Sequence, residues 1–513
     1  MNRRLTRLAD AVLQPGFVGT SPPDWLRRRL GEGLGSVTLY ARNIVNPAQI
    51  AALTAAIRAE SADVIVAIDE EAGDVTRLEA HTGSSRPGNL ALGAADDPEL
   101  TTAVARHLGH ELGALGITLD FAPDADVNSD PDNPVIGVRA FGSDPELVAR
   151  HTAAWIRGLQ SAGVAACAKH FPGHGDTAVD SHHDVPVIMS DRAALDACEL
   201  LPFRSAIAAG VKSIMTGHLV VPAIDPARPA TLSRAILTDL LRVELGFEGL
   251  IVTDAIEMQA VARRYGLAGA TVAAITAGAD AVCVGGEHAG EGTAIELRDA
   301  IVAAVVDGSL PEERLVDAAG RVAALATWSR AQRRLAQHQA KGTGHPGLLA
   351  ARRALHVRAA GPVPPWPLTA PAYVVELSPT VTMAIAPETP WGLLAPLADL
   401  MPGTEGARIT APAFDGDPAV AASIDAALRA AAGRPLVLAV RDAHRHPWMS
   451  AALAAAVAAR PDMIVVEMGV PAGQLGANQI STYGASTACG IAAAELLAGV
   501  VPAGVLTEPL LTA

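Results

Sequence analysis

The sequence predicts an α/β fold, a (β/α)8 TIM-type barrel followed by a smaller α/β/α sandwich, from three observations. In the first two-thirds of the chain, short β-rich runs alternate with Ala/Leu-rich helical stretches. There are eight such runs, the number that closes a barrel of about 250 residues or more. Polar residues follow several runs. A barrel gathers them around one mouth, whereas the alternative, an open doubly wound sheet, spreads them along an edge.

The predicted domain boundaries follow shifts in composition. The chain has 513 residues, which allows two to four domains of roughly 100–200 residues each. We assign residues 1–337 to the barrel, 338–371 to a helical and proline-rich linker, and 372–513 to the sandwich domain. The linker contains the run GPVPPWPLTAP, and such a run is stiff and extended.

The predicted elements are apolar runs and helical stretches with recognisable starts. Pro47 stands where the first turn of a helix tolerates proline, and Asp97 and Asp144 precede two helices as N-caps. The predicted barrel strands are Gly16–Thr20, Ser36–Arg42, Asp63–Asp69, Ile117–Asp124, Ala165–Phe171, Ser213–Val220, Gly249–Ala255 and Ala281–Gly285. Predicted helices include Pro47–Ser61, Pro98–Leu115, Pro145–Ala162, Arg192–Ala209 and Ser233–Leu245. In the sandwich we predict strands Tyr373–Leu377, Pro435–Val440 and Met463–Met468, with helices Met449–Ala459 and Ala485–Leu497.

Composition and charge exclude several classes of protein. Asp and Glu (54) outnumber Lys and Arg (39), and the net charge of −15 argues against nucleic acid and anionic membranes as partners. No stretch of about 20 residues lacks charge, Pro and Gly, so we expect no membrane span. The four cysteines form no CxxC pair and no signal peptide is recognisable, so we expect a reduced, cytoplasmic protein. We expect no cofactor and no metal, and predict no oligomeric state.

The run Lys169–Pro186, KHFPGHGDTAVDSHHDVP, follows a predicted strand and concentrates titratable side chains. It contains four histidines and three aspartates. Asp180 precedes His182 by two residues, a spacing that puts both side chains on one side of an extended segment. The carboxylate can then hold one ring nitrogen, so that the imidazole acts as acid and base near neutral pH. A solvated polar loop is the alternative interpretation.

Further candidates lie at or near other strand ends. Asp254 ends the apolar run in LIVTDAIEM, and a residue at the carboxyl end of a barrel strand is typically catalytic; the alternative is that it caps the next helix. Asp69 ends another strand, Arg77 follows a glycine-bearing turn, and Arg139 lies in an otherwise apolar loop. Taken singly, these last three would more often form a surface salt bridge or a cap.

A carboxylate on a strand and a His–Asp pair on a loop suggest double-displacement cleavage of a glycosidic bond. The carboxylate attacks the anomeric carbon while a proton donor protonates the leaving oxygen. The usual pair is two carboxylates about 5–5.5 Å apart, and a histidine in place of one of them avoids like-charge repulsion.

At these residues the sequence resembles family 3 glycoside hydrolases, specifically the β-N-acetylglucosaminidase branch. KHFPGHGDT followed by DSH and a proline resembles the signature of that branch, and Asp254 in a TDxxxM setting resembles its nucleophile position. The resemblance covers about residues 15–330, and the region around Ser481–Leu497 is similar to the family's second domain.

The resemblance implies a retaining β-N-acetylhexosaminidase that hydrolyses terminal N-acetyl-β-D-glucosaminides through a covalent glycosyl–Asp intermediate. It implies Asp254 as the nucleophile and His182 as the acid/base, with Asp180 as the dyad partner of His182. The partner would be a small-molecule glycoside, and for a cytoplasmic bacterial member a peptidoglycan-derived muropeptide. The residues implied to bind the sugar are Asp69, Arg77, Arg139, Lys169 and His170.

The chain departs from the family pattern in one motif. The family commonly reads DQEGGRV, whereas residues 69–75 read DEEAGDV. Ala72 replaces a glycine and Asp74 replaces an arginine. We expect these departures to alter the local turn or substrate detail more than catalysis.

Three other functions stay open. A histidine acid/base admits an N-acetylglucosaminide phosphorylase, because a neutral imidazole repels phosphate less than a carboxylate does. A metallohydrolase is the second, although a proline and a glycine between its first two ligands disfavour the helix that a zinc pair would need. A catalytically inactive sugar-binding protein is the third. The metal ligands would be His170, His174, His182 and His183.

Overall fold

The structure is a computed structural model that describes residues 2–177, 185–336, 345–361, 365–380, 382 and 384–501. The chain forms two compact units. The first unit comprises Met1–Glu71, Thr101–Ile136 and Gly142–Gly344, and the second comprises Ala72–Leu100, Gly137–Phe141 and His345–Ala513. Two short segments that the sequence assigns to the barrel domain therefore group with the second unit, and the last segment of that unit begins within the predicted linker.

Eight short parallel strands organise the first unit. β2 to β7 form a six-stranded sheet in sequence order, and β1 pairs in parallel with β8. An isolated parallel bridge joins Val252 of β7 to Ala281, the residue before β8. The strands are β1 Leu13–Pro15, β2 Ser36–Leu39, β3 Ile65–Ile68, β4 Leu119–Asp120, β5 Ala165–Phe171, β6 Ser213–Thr216, β7 Leu250–Thr253 and β8 Val282–Val284.

Seven of the eight predicted barrel strands overlap the observed strands, and the first prediction is wrong. The prediction placed that strand at Gly16–Thr20, but the paired residues are Leu13–Pro15. At Gly16 the chain crosses so close to the end of β8 that an added Cβ atom would lie 2.7 Å from the carbonyl oxygen of Gly285. This glycine marks a close crossing of two backbones rather than a strand.

Helices follow most strands, as the alternating pattern predicts, and several begin at the predicted caps. The predicted caps Asp97 and Asp144 accept hydrogen bonds from the first turns of their helices, and Asn46, which was not predicted, does the same before Pro47. The α-helices of both units, in chain order, are α1 Arg3–Ala11, α2 Asp24–Glu32, α3 Pro47–Glu60, α4 Asn89–Ala95, α5 Pro98–Ala114, α6 Pro145–Ser161, α7 Arg192–Ala197, α8 Leu200–Ala208, α9 Gln259–Ala277, α10 Glu291–Asp307, α11 Glu312–Ala336, α12 Pro346–Arg353, α13 Leu394–Leu400, α14 Pro418–Ala430, α15 Pro447–Ala459 and α16 Thr487–Ala498.

Two predicted helices of the first unit differ in detail. The predicted single helix Arg192–Ala209 is two helices, α7 and α8, broken at Cys198. Pro202 lies in the first turn of α8, where its missing N–H needs no partner. The predicted helix Ser233–Leu245 is a π-helix, Ala235–Glu244.

The core of the first unit collects same-facing side chains from successive strands. Ile65, Leu119 and Cys167 belong to one cluster with residues of β6, β7 and β8, and Val322 and Leu325 of α11 pack against them. Side chains of β3 to β8 meet in one cluster only if the sheet is strongly curved. The first unit is therefore an α/β fold whose parallel sheet forms a half-barrel.

The second unit contains a six-stranded mixed sheet. The strand order is β11-β10-β12-β13-β14-β9, with only the β14–β9 pair antiparallel. The sequence predicted β10, β12 and β13 but not the other three. The strands are β9 His356–Arg358, β10 Tyr373–Ser378, β11 Glu405–Thr410, β12 Leu436–Val440, β13 Ile464–Glu467 and β14 Asn478–Ser481.

Helices cover both faces of this sheet. Along β12, Val437 and Ala439 belong to one buried cluster, and Leu438 and Val440 belong to another. The first cluster includes side chains of α4, α12, α13 and α16, and the second includes side chains of α14 and α15. Across the described parts of both units, none of the helices combines the length and the apolar character needed to cross a membrane.

Candidate active site

Polar side chains of the first unit lie where its parallel strands end. Asp69 follows β3, Lys169 and His170 lie near the end of β5, and Asp254 follows β7. The carboxyl ends of parallel strands meet at one edge of their sheet, which is where α/β barrels and sheets bind ligands. Asp69, Lys169, His170 and Asp254 therefore share one edge.

Lys169 is a buried cation held by two carboxylates. Its Nζ lies 2.5 Å from Oδ1 of Asp69 and 2.6 Å from Oε1 of Glu71. The side chain of Lys169 is 2% exposed and that of Glu71 3%, whereas Asp69 is 27% exposed. The network thus presents Asp69 as its accessible carboxylate. The surface salt bridge weighed for Asp69 is wrong, because the partner is a buried lysine, and Glu71 was not predicted.

Asp120 lies fully buried beside this network. Its Oδ1 accepts a hydrogen bond of 3.0 Å from the backbone N–H of Glu70, and within the described residues Oδ2 has no hydrogen-bond partner. Burial raises the pKa of Asp120 well above its usual range, and the nearby carboxylates of Glu70 and Asp69 raise it further. No motif in the sequence marks this residue, which is one polar position in a mostly apolar run.

His170 is fixed by the carboxylate of Asp126. The ring Nδ1 lies 2.7 Å from Oδ2 of Asp126, and the backbone N–H of His170 donates to Oδ1 at 3.1 Å. The backbone N–H of His174 donates to the same Oδ1 at 2.7 Å. Asp126 was not predicted, although the motif APDADV after β4 places two aspartates at a strand end.

The glycines at the start of the loop serve close packing. An added Cβ atom at Gly175 would lie 1.6 Å from the carbonyl oxygen of Val127, and one at Gly173 would lie 2.6 Å from side-chain atoms of Glu199. These contacts explain why both positions are glycines. The predicted dyad residues Asp180 and His182 lie outside the described residues, as does His183.

Asp254 is partly buried and lies one residue beyond β7. Its backbone N–H donates to the carbonyl of Thr216 at 3.2 Å, and its Oδ1 accepts from the N–H of Ala255 at 2.7 Å. The next helix, α9, begins at Gln259 with Met258 at its N-cap. The alternative that Asp254 caps this helix is therefore wrong.

His218, which follows β6, braces the residue after Asp254. Its Nε2 donates to the carbonyl of Ala255 at 3.0 Å, and its Nδ1 lies 2.8 Å from the hydroxyl of Thr231. The buried ring therefore ties the end of β6 to the chain just beyond Asp254. The sequence pattern assigned His218 no role.

Glu257, three residues after Asp254, fixes the turn beyond β8. Its carboxylate accepts backbone N–H groups from Gly285, at 2.9 and 3.1 Å, and from Glu287 at 3.0 Å. The segment that follows Asp254 is thus anchored to the neighbouring strand end as well.

Asp124, Asp126 and His170 offer ligand atoms within 4.8 Å of one another, close enough to hold a metal ion. The donor chemistry does not favour one, because the carboxylate of Asp126 already accepts three N–H groups, one of them from Nδ1 of His170. The metallohydrolase alternative gains no support from these three residues.

Arg77 and Arg139 lie in the second unit. The guanidinium of Arg77 donates to the carbonyl of Ala384 at 2.8 Å. Arg139 ends a short 3-10 helix, Gly137–Arg139, and its carbonyl accepts from the side chain of Asn89 at 2.7 Å. Arg139 is buried, so the surface salt bridge weighed for it is wrong.

The departures at positions 72 and 74 are explained within the second unit. Asp74 forms a buried ion pair with Arg441, at 2.5 Å, and accepts the N–H of Ala485 at 2.8 Å. Burial raises the pKa of Asp74 although Arg441 lowers it. Ala72 keeps the left-handed backbone that a glycine would favour, with φ of +63°. The aspartate thus takes part in the folding of the second unit.

Comparison with known proteins decides the family. Residues 27–325, more than half of the chain, match the model of the glycosyl hydrolase family 3 N-terminal domain. The chain belongs to glycosyl hydrolase family 3. Membership of family 3 confirms the resemblance inferred from the motifs, and with it the prediction of a glycoside hydrolase.

Relatives within family 3 include curated and structurally solved proteins. The chain is 39% identical over 282 residues to the β-hexosaminidase A of Pseudoalteromonas piscicida, covering 51% of this chain and 47% of that protein. It is 40% identical over 259 residues to the β-hexosaminidase of Nitrosomonas eutropha, covering 49% and 73%. The match thus spans about half the length of the first relative and more of the second.

One solved structure is similar over almost the entire chain. It is a glycoside hydrolase family 3 β-N-acetylglucosaminidase from Paenibacillus sp. str. FPU-7, 34% identical to this chain, with a TM-score of 0.85. The alignment covers 97% of both chains. The family 3 likeness therefore extends through both units.

Proposed function

We propose that the protein is a retaining β-N-acetylhexosaminidase that hydrolyses terminal N-acetyl-β-D-glucosaminides. The observation that carries this proposal is the likeness to the Paenibacillus β-N-acetylglucosaminidase over 97% of both chains. The run KHFPGHGDT with the following DSH supports the same substrate class, because the resemblance implies that family 3 members that cleave glucosides lack this insert.

In this proposal the first unit is a closed (β/α)8 barrel and the second an α/β/α sandwich. Closure is supported by the β1–β8 pair and by a hydrogen bond of 3.1 Å from the Ser36 hydroxyl in β2 to the carbonyl of Leu13 in β1. The sandwich is supported by the two clusters on opposite faces of the second sheet. The proposed boundaries are 1–337 for the barrel, 338–371 for the linker and 372–513 for the sandwich.

The proposed reaction proceeds by two displacements at the anomeric carbon. Asp254 attacks this carbon while protonated His182 gives its proton to the leaving oxygen. The covalent glycosyl–Asp254 intermediate is then hydrolysed by a water that His182 deprotonates, so configuration is retained. Asp180 holds the imidazole in the required orientation, and acid–base help of this kind is worth about 10²–10⁴-fold in rate.

The remaining proposed site residues bind the sugar. Asp69 is the accessible carboxylate of the Lys169 network and can accept hydrogen bonds from sugar hydroxyls. Nζ of Lys169 supplies N–H donors, and Nε2 of His170, whose Nδ1 faces Asp126, accepts a hydroxyl hydrogen. The resemblance adds Arg77 and Arg139 to the proposed sugar-binding residues. Because Lys169 is buried between two carboxylates, its position is set before substrate arrives, which lowers the cost of ordering the site.

We further propose a cytoplasmic enzyme whose natural substrate is a peptidoglycan-derived muropeptide. The resemblance to the β-N-acetylglucosaminidase branch supports this substrate. The scattered cysteines of the sequence are consistent with a reducing compartment.

A matched pair of aryl glycosides that differ only at C2 tests the proposal. We expect the N-acetyl-β-glucosaminide to be hydrolysed and the β-glucoside to be a poor substrate. The Asp254→Asn and His182→Ala variants should each lose most of this turnover. Near wild-type turnover by either variant would contradict the residue assignment, and a sugar 1-phosphate formed in phosphate buffer would favour phosphorolysis.

A further inference from the structure

We propose that Asp126 is a positioning residue that sets the tautomer of His170 and fixes the start of the loop that carries Asp180 and His182. The proposal rests on the proposed function, since His170 and that loop are its substrate-binding and acid/base elements. It concerns described residues of the first unit alone, apart from the loop whose start they hold.

The first step is the hydrogen bond to the His170 ring. An ionised carboxylate only accepts hydrogen bonds, so the 2.7 Å contact between Nδ1 and Oδ2 of Asp126 requires the proton on Nδ1. In the neutral ring Nε2 then carries no proton and accepts a hydrogen bond. Asp126 therefore decides which nitrogen of His170 would receive a sugar hydroxyl.

The second step is the backbone of the loop. The other oxygen of Asp126 accepts the N–H groups of His170 and His174, at 3.1 and 2.7 Å. The amide of Asn133 adds hydrogen bonds to the carbonyls of His174 and Gly175, at 2.9 and 3.2 Å. One carboxylate thus holds both the binding residue and the point from which the loop departs.

Asp126 is itself rigidly placed. It is fully buried, and its backbone N–H donates to Oδ1 of Asp124 at 3.0 Å. The N–H of Ala125 donates to the carbonyl of Lys169 at 2.6 Å, which ties the segment after β4 to β5. A carboxylate anchored in this way can orient an imidazole, as carboxylates beside catalytic or metal-binding histidines do.

Asp126→Asn removes this control with little change in size. The amide nitrogen of asparagine cannot accept the Nδ1 proton, whereas its oxygen can still accept backbone N–H groups. We expect kcat/KM on the aryl N-acetyl-β-glucosaminide to fall about 10- to 100-fold, the usual cost of losing such a partner. Asp132→Asn is the matched control, since this exposed aspartate lies in the same segment, and it should leave kcat/KM unchanged.

A double mutant separates positioning from general destabilisation. In a His170→Ala background, Asp126→Asn should reduce kcat/KM much less than it does in the wild type, because part of its effect passes through His170. An undiminished effect in that background would overturn the proposal.

A spectroscopic readout keeps the proposal testable even if Asp126→Asn folds poorly or the enzyme proves to have another substrate. In wild-type enzyme with ¹⁵N-labelled histidine, the His170 signals, assigned by their loss in His170→Ala, should show a protonated Nδ1. An unprotonated Nδ1 would overturn the role of Asp126. No turnover of the N-acetyl substrate by wild-type enzyme would instead overturn the proposed function.

Discussion

Single residues at the strand ends of the first unit show how differently one fold can stabilise buried carboxylates. Glu71 is neutralised by Lys169, Asp126 accepts three N–H groups, and Asp120 receives one hydrogen bond and a raised pKa. Burial of an ionised carboxylate is costly unless charge or hydrogen bonds compensate for it. Each buried carboxylate therefore indicates that neighbouring groups supply a charge or hydrogen bonds, or that its pKa is raised.

Ala72 is held in a conformation that costs energy for any residue with a Cβ atom. Its φ of +63° lies in the left-handed region, which costs roughly 1–2 kcal/mol for an L-residue. We expect Ala72→Gly to raise the free energy of unfolding by about 0.5–1 kcal/mol, the strain relieved less the added entropy of glycine in the unfolded chain. Urea unfolding measures the change.

The matched control is the same substitution in a helix. Ala55 is exposed in the interior of α3, where Ala→Gly lowers stability by about 1 kcal/mol. Opposite signs at the two positions would support the argument, and a loss of stability at both would contradict it.

Glu467, at the end of β13, is expected to make the stability of the second unit depend on pH. Burial, with a smaller contribution from Asp442, raises the pKa of this carboxyl to about 8 from an ordinary value of 4.5. Between these values the folded state binds the proton more tightly than the unfolded state, so stability falls as pH rises from about 4.5 to about 8. The slope is at most about 1.4 kcal/mol per pH unit.

Glu467→Gln should remove this slope, because the glutamine side chain does not titrate. The fold should be kept, since the amide oxygen can still accept the N–H groups of Asp442 and Gly469 that now bind Oε1 at 2.9 and 2.7 Å. Unfolding midpoints at pH 5 and pH 8 measure the difference between variant and wild type. Exposed Glu388 provides the control, since Glu388→Gln should keep the wild-type slope. A wild-type slope in Glu467→Gln would refute the assignment.

At the scale of elements, the segment that carries Arg77 is folded as part of the second unit. The buried pair of Asp74 and Arg441 joins this segment to the end of β12. We expect Asp74→Arg, which restores the common family residue, to place two guanidinium groups in one buried site and to cost about 3–5 kcal/mol. Thermal unfolding measures the loss.

The charge-swapped double variant, Asp74→Arg with Arg441→Asp, tests whether the pair causes that loss. We expect it to recover part of the stability, although the N–H of Ala485 loses its acceptor. Asp415→Arg, at an exposed position of the same unit, should change stability little. A double variant no more stable than Asp74→Arg would show that the ion pair is not what the arginine disrupts.

The elements that the sequence predicted are those whose burial is visible as an apolar run. β12 and β13 are fully buried and were predicted. β11 has one buried residue in six, and β14 buries Asn478 and Gln479 through hydrogen bonds to backbone groups. β11 lacks an apolar pattern because it lies at the edge of the sheet, and β14 lacks one because polar side chains occupy its buried positions.

At the scale of the whole molecule, the two units are interleaved in sequence. Residues 72–100 and 137–141 lie between segments of the first unit in the sequence but fold with the second unit. Alternating strands and helices predict a barrel from residue 1 to about 337 but carry no sign of this exchange, because it depends on contacts made by residues more than 200 positions away, such as Arg77 with Ala384.

Candidate site residues were predicted where a sequence motif marked them. They were missed where their role depends on a partner residue far away in the sequence. Lys169, His170 and Asp254 follow from strand ends and the resemblance. Glu71 and Asp126 were missed, because a carboxylate beside a strand becomes informative only once its partner is known. The structure supplies those partners, Lys169 and His170.

We propose that Asp254 forms a covalent bond to the sugar, and trapping that bond tests this claim. A fluorinated N-acetylglucosaminyl donor with a good leaving group should accumulate the intermediate, and mass spectrometry of the digested protein should find the added mass on the peptide that contains Asp254. Label on a different carboxylate would contradict the claim. A product of retained configuration that forms without any covalent adduct would also contradict it.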